Sequence, residues 1–270
     1  MIQRDVTEPE FLDWAAELHG SIDLVLGAIP CEWLSIRRNV TRGIKPEEIE
    51  QGRAVLDALL AAVRAIEPRW WCLEDVIQIR KELPPLTPYA VLDSRYWSGQ
   101  RRKRCYVGRF PRPPRGNDKR VLADYMRPGP FRLGRRSIGR KLVRSRAFAR
   151  DSAYATDPQR KCPTINAISS RRDPELVILD PIVGPRQMEF GEAARAQGFP
   201  DTYLFYGSPS DLWTMVGQAV QIDTGRAILE AVCRQREREQ GIGDRGQVAT
   251  ESRISEENVD TLKKKGNPDE

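Results

Sequence analysis

The cysteine at position 31 occupies a place in the sequence where a reactive thiol could be held. The stretch LVLGAIPCEWLS puts an apolar run before Gly27 and a Pro30-Cys31 pair on the loop that follows it. A thiolate at the end of a strand is a good nucleophile when nearby cations or a helix terminus lower its pKa. An isolated cysteine is more often a buried apolar side chain. Cys31 taken alone therefore leaves both interpretations open.

Three charged residues further along the chain could act with this thiol. Glu74 lies in LEDV, directly after the apolar WWC run, where carboxylates are scarce, and a glutamate held there suits general acid–base chemistry. Arg102 and Arg104 lie in GQRRKR, and their forked guanidinium groups match carbonyl oxygens and phosphates. A lone glutamate at a strand end usually just faces solvent, so only the combination indicates chemistry.

The apolar pattern predicts the elements that position these residues. A helix is expected over 8–18, a buried strand over 21–27, a helix over 46–66 and a second buried strand over 69–76. A strand, a loop, a helix and a strand in this order form one right-handed βαβ unit. This half of the chain is therefore predicted to be α/β.

The remaining sequence is less regular. Two strands are expected in PYAVLDSRYW and RKRCYVGRF, joined through the Ser98-Gly99-Gln100 turn. A loop-like stretch rich in Arg, Pro and Gly covers 109–160. A short helix is expected over 192–197, and a helix over 208–232 that is interrupted near Gly217. The polar residues from 234 onward are expected to form a flexible tail.

Charge is distributed unevenly along the chain. Residues 101–150 contain 18 Lys and Arg against two aspartates, whereas the rest of the chain has 26 basic and 36 acidic residues. So basic a segment on an otherwise acidic protein favours a polyanionic partner, most often nucleic acid. A solvated basic loop would give the same composition.

Bulk properties exclude several classes of protein. The 270 residues suffice for a large core, and no stretch approaches the ~18 apolar residues of a membrane span, so no membrane association is expected. The N-terminus lacks the apolar segment of a signal peptide. Five cysteines in no zinc or disulfide spacing predict no metal site and favour a reducing, cytoplasmic location.

The order of five short motifs carries the functional prediction. Pro-Cys, LEDV, GQRRKR, RQMEFGEAARAQGFPD and GQAV follow one another over roughly 5–232. This order resembles that of the DNA (cytosine-5) methyltransferase family, and each piece alone would be weak. The resemblance implies an α/β fold with a Rossmann-like methyltransferase core, and S-adenosyl-L-methionine as cofactor. It also implies double-stranded DNA as the substrate, with the target cytosine flipped out of the helix.

The resemblance also assigns the catalytic residues. Cys31 is implied to attack carbon 6 of cytosine, which activates carbon 5 for methylation, and Glu74 is implied to hold and polarise the ring. Arg102 and Arg104 match the arginines of Gln-x-Arg-x-Arg, with Arg102 favoured for base and phosphate contact. The family asparagine after the glutamate is Asp75 here, and Gln218 replaces another family asparagine.

The cofactor site departs most from the family pattern. Asp5, Pro30, Gly217 and Val220 match cofactor-binding positions, but no Phe-x-Gly-x-Gly loop precedes them. The first strands of the core are therefore expected to be missing. Three explanations stay open: a partner polypeptide that supplies the glycine-rich motif, a shortened gene, or a non-catalytic DNA-binding or regulatory subunit. An unrelated basic RNA-binding protein would require the motif order to be a coincidence.

The motifs divide the chain into four parts. Residues 1–109 are expected to form a partial catalytic domain and 110–185 a small basic target-recognition region. Residues 186–233 would carry the C-terminal motifs that return to the core, and 234–270 the charged tail.

Overall fold

A four-stranded mixed sheet organises the first half of the chain. The computed structural model describes residues 5–34, 43–126, 155–166, 176–182 and 184–241. The strands are β1 (Leu24–Ala28), β2 (Trp70–Asp75), β3 (Tyr89–Asp93) and β4 (Lys103–Val107), in the spatial order β1-β2-β4-β3. β1 and β2 are parallel, whereas β4 runs antiparallel to both β2 and β3.

Two helices cover one face of this sheet, as the apolar pattern predicts. Helix α1 (Pro9–Glu17) precedes β1, and helix α2 (Pro46–Ile66) connects β1 to β2. Both helices have proline in the first turn, where the missing N–H costs nothing. The apolar side of α2 packs on Leu73 and Val107 of the sheet. The predicted α/β unit is therefore present, with its parallel strands side by side.

The second half of the chain forms its own apolar cluster. A hairpin of β5 (Val177–Asp180) and β6 (Gly184–Gln187) is followed by α3 (Phe190–Ala196), α4 (Pro209–Gln218) and α5 (Ile222–Glu239). Phe190, Phe205 and Trp213 meet edge to face in the centre of this cluster. Helix α5 packs its Ile228 against Cys72 and Tyr106, on the sheet face opposite α2.

The structure differs from the sequence-based expectation in two places. The hairpin β5–β6 was not predicted, and it crosses the expected boundary between 185 and 186. Helix α5 continues to Glu239 instead of ending near 233, so the tail expected from 234 begins in a helix. Ion pairs of Arg236 with Asp23 and of Arg69 with Glu239 attach this last part of α5 to the first half of the chain.

Some predictions concern residues outside the described part. About half of the basic segment, from 127 to 150, and the tail beyond 241 lie there. Within the described residues, no strand pairs with the outer edge of β1, and Leu26 on that strand is half exposed. The helices of the described ranges include none that is long and apolar enough to cross a bilayer. The same ranges contain no group of three His, Cys, Asp or Glu side chains suited to a metal ion.

Candidate active site

The Pro-Cys loop is held against the carboxyl end of β2. β1 ends at Ala28, and the N–H of Ile29 donates to the carbonyl of Glu74 over 2.9 Å. Cys31 then opens a short 3₁₀ turn that ends at Trp33. Because parallel strands end at the same edge of a sheet, this connection brings the loop of Cys31 beside the end of β2.

Trp33 fixes the same loop to helix α2. Its ring is buried against Gly52, where an added Cβ would lie 2.1 Å from the nearest ring atom. Only glycine leaves room for the indole at this point of the helix. Neither Trp33 nor Gly52 was singled out from the sequence, since their contact joins two segments 19 positions apart.

Glu74 is a buried carboxyl with an arginine beside it. Its side chain is only 8% exposed, and Arg104 Nε lies 3.2 Å from Oε1. The two groups form an ion pair that lacks the geometry of a hydrogen bond. Burial raises the pKa of Glu74, and the positive charges of Arg102 and Arg104 oppose that rise. This environment favours the protonated form of the carboxyl more than solvent does.

The thiol of Cys31 is partly exposed and lies within the field of these charges. Burial raises its pKa, and the carboxyl groups of Asp75 and Glu74 raise it further, whereas Arg104 and Arg102 lower it. The two arginines are cations that lower the thiol pKa. Their effect is smaller than the combined effect of burial and the two carboxyl groups, so the pKa of Cys31 is raised overall. The resting thiol therefore keeps its proton at neutral pH.

Arg102 is placed differently from the expectation that it contacts the base or a phosphate. Its side chain is 3% exposed, and its guanidinium donates to the carbonyls of Ile165, Gly217 and Ala219 over 2.6, 2.9 and 3.1 Å. Burial, followed by the charge of Arg104, lowers its pKa to about 10, which still leaves it charged. Arg102 therefore joins the start of β4 to the C-terminal part of the chain.

A basic cleft opens next to Arg104. This cavity of about 630 Å³ lies between the ends of β3 and β4 and the segment 155–166. Asp93, Thr156, Pro163 and Thr164 contribute to its walls together with five basic side chains, which are Arg95, Arg101, Arg102, Lys103 and Arg104. Such a surplus of cations suits a polyanionic ligand.

Residues of the RQMEFGEAARAQGFPD motif and of the GQRRKR turn make contacts within the fold. Arg186 forms a bidentate pair with the buried Glu192 over 2.6 and 2.8 Å and also contacts Asp180 over 2.6 Å. The Gln197 amide donates to the carbonyls of Val216 and Ala219 at the end of α4. Gln100, the glutamine of the predicted turn, is fully buried, and its main chain bridges to Cys162. Arg186 and Gln197 thus stabilise the second half of the chain, and Gln100 joins the turn before β4 to the segment 155–166.

The four predicted cofactor residues fit a bound group unequally. Asp5 is exposed, and Thr7 contacts only its Oδ1, lowering the carboxyl pKa, so the group stays ionised and accessible to a donor. Pro30 is exposed and Val220 is half buried. Gly217 is buried and its carbonyl accepts a hydrogen bond from Arg102, so its place in the cofactor site stays a prediction. Asp5, Pro30 and Val220 can therefore contribute to a cofactor surface, whereas Gly217 supports Arg102.

Comparison with known proteins supports the resemblance through the second half of the chain. Residues 132–234 match the family model of C-5 cytosine-specific DNA methylases. No curated protein sequence matches the chain. The match confirms the resemblance to the DNA (cytosine-5) methyltransferases, a family that uses S-adenosyl-L-methionine.

Two solved structures share the fold. The Entamoeba histolytica methyltransferase EhMeth superposes with a TM-score of 0.61 at 10% identity, over 86% of this chain and 82% of that one. A putative DNA modification methyltransferase encoded within an E. coli prophage gives a TM-score of 0.55 at 16% identity, over 86% and 85%. At these identities the likeness supports the predicted methyltransferase fold.

Proposed function

We propose that this chain, a relative of the DNA (cytosine-5) methyltransferases, methylates carbon 5 of a cytosine in double-stranded DNA through a covalent bond to Cys31. The observation that carries the proposal is the arrangement at the end of β1 and β2. There the thiol of Cys31 lies within the electrostatic influence of Glu74, Arg104 and Arg102. A nucleophile, a proton-holding carboxyl and cations in one place are what this reaction requires.

Cys31 would add to carbon 6 of the extruded cytosine as a thiolate. The new S–C bond pushes electron density to carbon 5, which then takes the methyl group. Water then takes the proton from carbon 5, the S–C6 bond breaks to release the thiolate, and the aromatic ring is restored. Because the resting thiol has a raised pKa, it must lose its proton as the substrate binds.

Glu74 would hold the ring of the target base. Its carboxyl can donate a proton to ring N3 and accept a hydrogen bond from the exocyclic amine. The raised pKa favours the protonated form that donation needs. Protonation at N3 withdraws electrons from carbon 6, so the carboxyl activates the atom that Cys31 attacks. Arg104, 3.2 Å from Glu74, is the arginine suited to contact the base.

The basic cleft would bind the DNA backbone around the extruded base. Arg101 and Lys103 line it beside Arg104, and all three precede or begin β4. Phosphate contacts of this kind give affinity and position the duplex, whereas sequence is read in the grooves. The region 110–185 remains our candidate for target recognition.

S-adenosyl-L-methionine is the methyl donor of this family and, when bound, supplies the methyl group that carbon 5 accepts. In this chain Asp5, Pro30 and Val220 are the residues suited to contact it. We propose that a polypeptide segment with the Phe-x-Gly-x-Gly motif, which these 270 residues lack, completes this part of the site. Among the described residues no strand pairs with the outer edge of β1, and Leu26 on it is half exposed, so a strand of that segment can add at this edge.

A covalent trap tests the proposed reaction. DNA containing 5-fluorocytosine cannot lose the carbon 5 substituent, so the protein stays attached after methyl transfer. The purified chain is incubated with this DNA and S-adenosyl-L-methionine, with and without a polypeptide that carries the glycine-rich motif. We expect a denaturation-resistant protein–DNA adduct, formed faster with the added polypeptide.

Two variants give the trap its controls. Cys31→Ser must abolish the adduct, whereas Cys233→Ser must retain it, because Cys233 is an exposed cysteine on α5. Glu74→Gln should slow adduct formation by about 10²–10⁴-fold. DNA binding without any adduct under either condition would instead favour a non-catalytic DNA-binding subunit, the second candidate that the missing glycine loop supports.

A further inference from the structure

Asp75 is a buried carboxyl that the proposed reaction does not use. It is the last residue of β2 and is 1% exposed. Its Oδ1 accepts a hydrogen bond from the N–H of Val76 over 2.6 Å, while Oδ2 is buried without a hydrogen-bond partner. Among the ion pairs of the described residues, none includes Asp75, since Arg104 is directed toward Glu74.

This environment disfavours a charged carboxylate. An ionised group buried without a paired cation is costly, and such groups usually take up a proton instead. Burial raises the pKa of Asp75 to about 7, Glu74 contributes to the rise, and the Val76 hydrogen bond and Arg104 oppose it. Near neutral pH the side chain therefore exists in both forms. In its neutral form it has the shape and charge of an asparagine.

The charged groups around Asp75 come from four segments. Cys31 lies on the loop after β1, Glu74 on β2 and Arg104 on β4. Cys105 lies opposite Asp75 on β4. Burial raises the pKa of Cys105 to about 11, and the charge of Arg80, from the turn after β2, opposes that rise. Of these groups Cys31 is the one whose reactivity matters, and Asp75 is the charge that affects its thiol most strongly.

We propose that Asp75 is a positioning residue that sets the reactivity of Cys31 through its own protonation, with the neutral carboxyl permitting the thiolate and the ionised carboxylate suppressing it. The inference rests on the proposed role of Cys31 as the nucleophile. When Asp75 loses its proton to solvent, a second negative charge beside Cys31 becomes less favourable. The two groups then titrate as a coupled pair, and the thiol gains less reactivity from rising pH than an isolated thiol would.

Alkylation of Cys31 tests this inference without DNA or cofactor. The wild-type chain, Asp75→Asn and the control Asp57→Asn, which neutralises an exposed carboxylate on α2, react with iodoacetamide between pH 6 and 8.5. Mass spectrometry of the peptide containing Cys31 gives its rate separately from that of Cys233. We expect Asp75→Asn to match wild type at pH 6 and to react about tenfold faster at pH 8.5, as for a fall of about one unit in thiol pKa. Asp57→Asn should follow wild type throughout.

The pH dependence separates this role from a purely structural one. A loop that merely loosened in Asp75→Asn would change the rate by the same factor at every pH, and that result would overturn the inference. Carbon-13 NMR of aspartate-labelled wild-type protein gives a measurement that needs no variant: the Asp75 carboxyl should titrate near pH 7, and a midpoint below 5 would also refute the proposal. If the DNA trap fails but the alkylation rates follow the predicted pH profile, methyl transfer is rejected and the coupling of Asp75 to Cys31 still holds.

Discussion

Replacing Arg102 and Arg104 separately should distinguish a structural arginine from a catalytic one. The sequence presents the two residues as equivalent members of GQRRKR. In the structure Arg102 donates to three main-chain carbonyls, whereas Arg104 lies beside Glu74 in the basic cleft. We therefore expect Arg102→Met to lower stability and Arg104→Met to lower activity.

The size of the stability effect follows from the carbonyls that lose a donor. Ala219 keeps a hydrogen bond from Gln197, so the loss is largest at Ile165 and Gly217. A buried acceptor left without its donor costs about 1–3 kcal/mol, which gives roughly 2–6 kcal/mol for two. Methionine also removes the cost of burying a cation, the effect that lowers the pKa of Arg102 to about 10. A net loss of about 2–3 kcal/mol remains.

Urea unfolding at pH 7 measures this loss, and the 5-fluorocytosine trap measures activity at a temperature where both variants are folded. Arg104→Met should lower stability less than Arg102→Met does, because it removes one ion pair that lacks hydrogen-bond geometry. Burial raises the pKa of Glu74, so the carboxyl can take up a proton when its cation is removed. The adduct of Arg104→Met should form at least tenfold more slowly. If Arg102→Met were as stable as wild type and instead lost DNA binding, the assignment of Arg102 as a structural residue would be refuted.

Three further substitutions test other parts of the structure. Gly52→Ala should cost about 1–3 kcal/mol in urea unfolding, because its Cβ overlaps the ring of Trp33; an unchanged midpoint would contradict the contact. Asp75→Asn should match wild type in stability near pH 4 and exceed it by about 4 kcal/mol above pH 7. The raised native pKa means that wild type loses stability as pH rises from about 4 to 7, so unfolding curves that stay parallel over this range would exclude the shift. Arg186→Met should lower stability by about 3 kcal/mol through the unpaired, buried Glu192, and a thermal shift below 2 °C would argue against that pair.

The helices and the first strands could be predicted from local pattern. Helix α2 begins and ends where the sequence places it, because Pro46 suits a first turn and the apolar spacing continues to Ile66. The hairpin β5–β6 escaped prediction, since β6 contains Gly184 and Pro185 and lacks the alternation of a typical strand. Its pairing depends on a partner strand rather than on its own composition. Helix α5 was predicted too short for a similar reason, as its polar last turns dock through ion pairs with Asp23 and Arg69.

The sequence by itself determined which residue types this protein has for chemistry and in what order they follow one another. The order of five motifs, which include Cys31, Glu74 and the two arginines, was enough to show a resemblance to the DNA (cytosine-5) methyltransferases, because each residue type is one that the reaction needs. Only the tertiary structure decided what surrounds each one. It separated Arg102 from Arg104 and gave Asp75 its burial, since solvent exclusion and nearby charge arise from segments that are distant in the chain and meet only on folding.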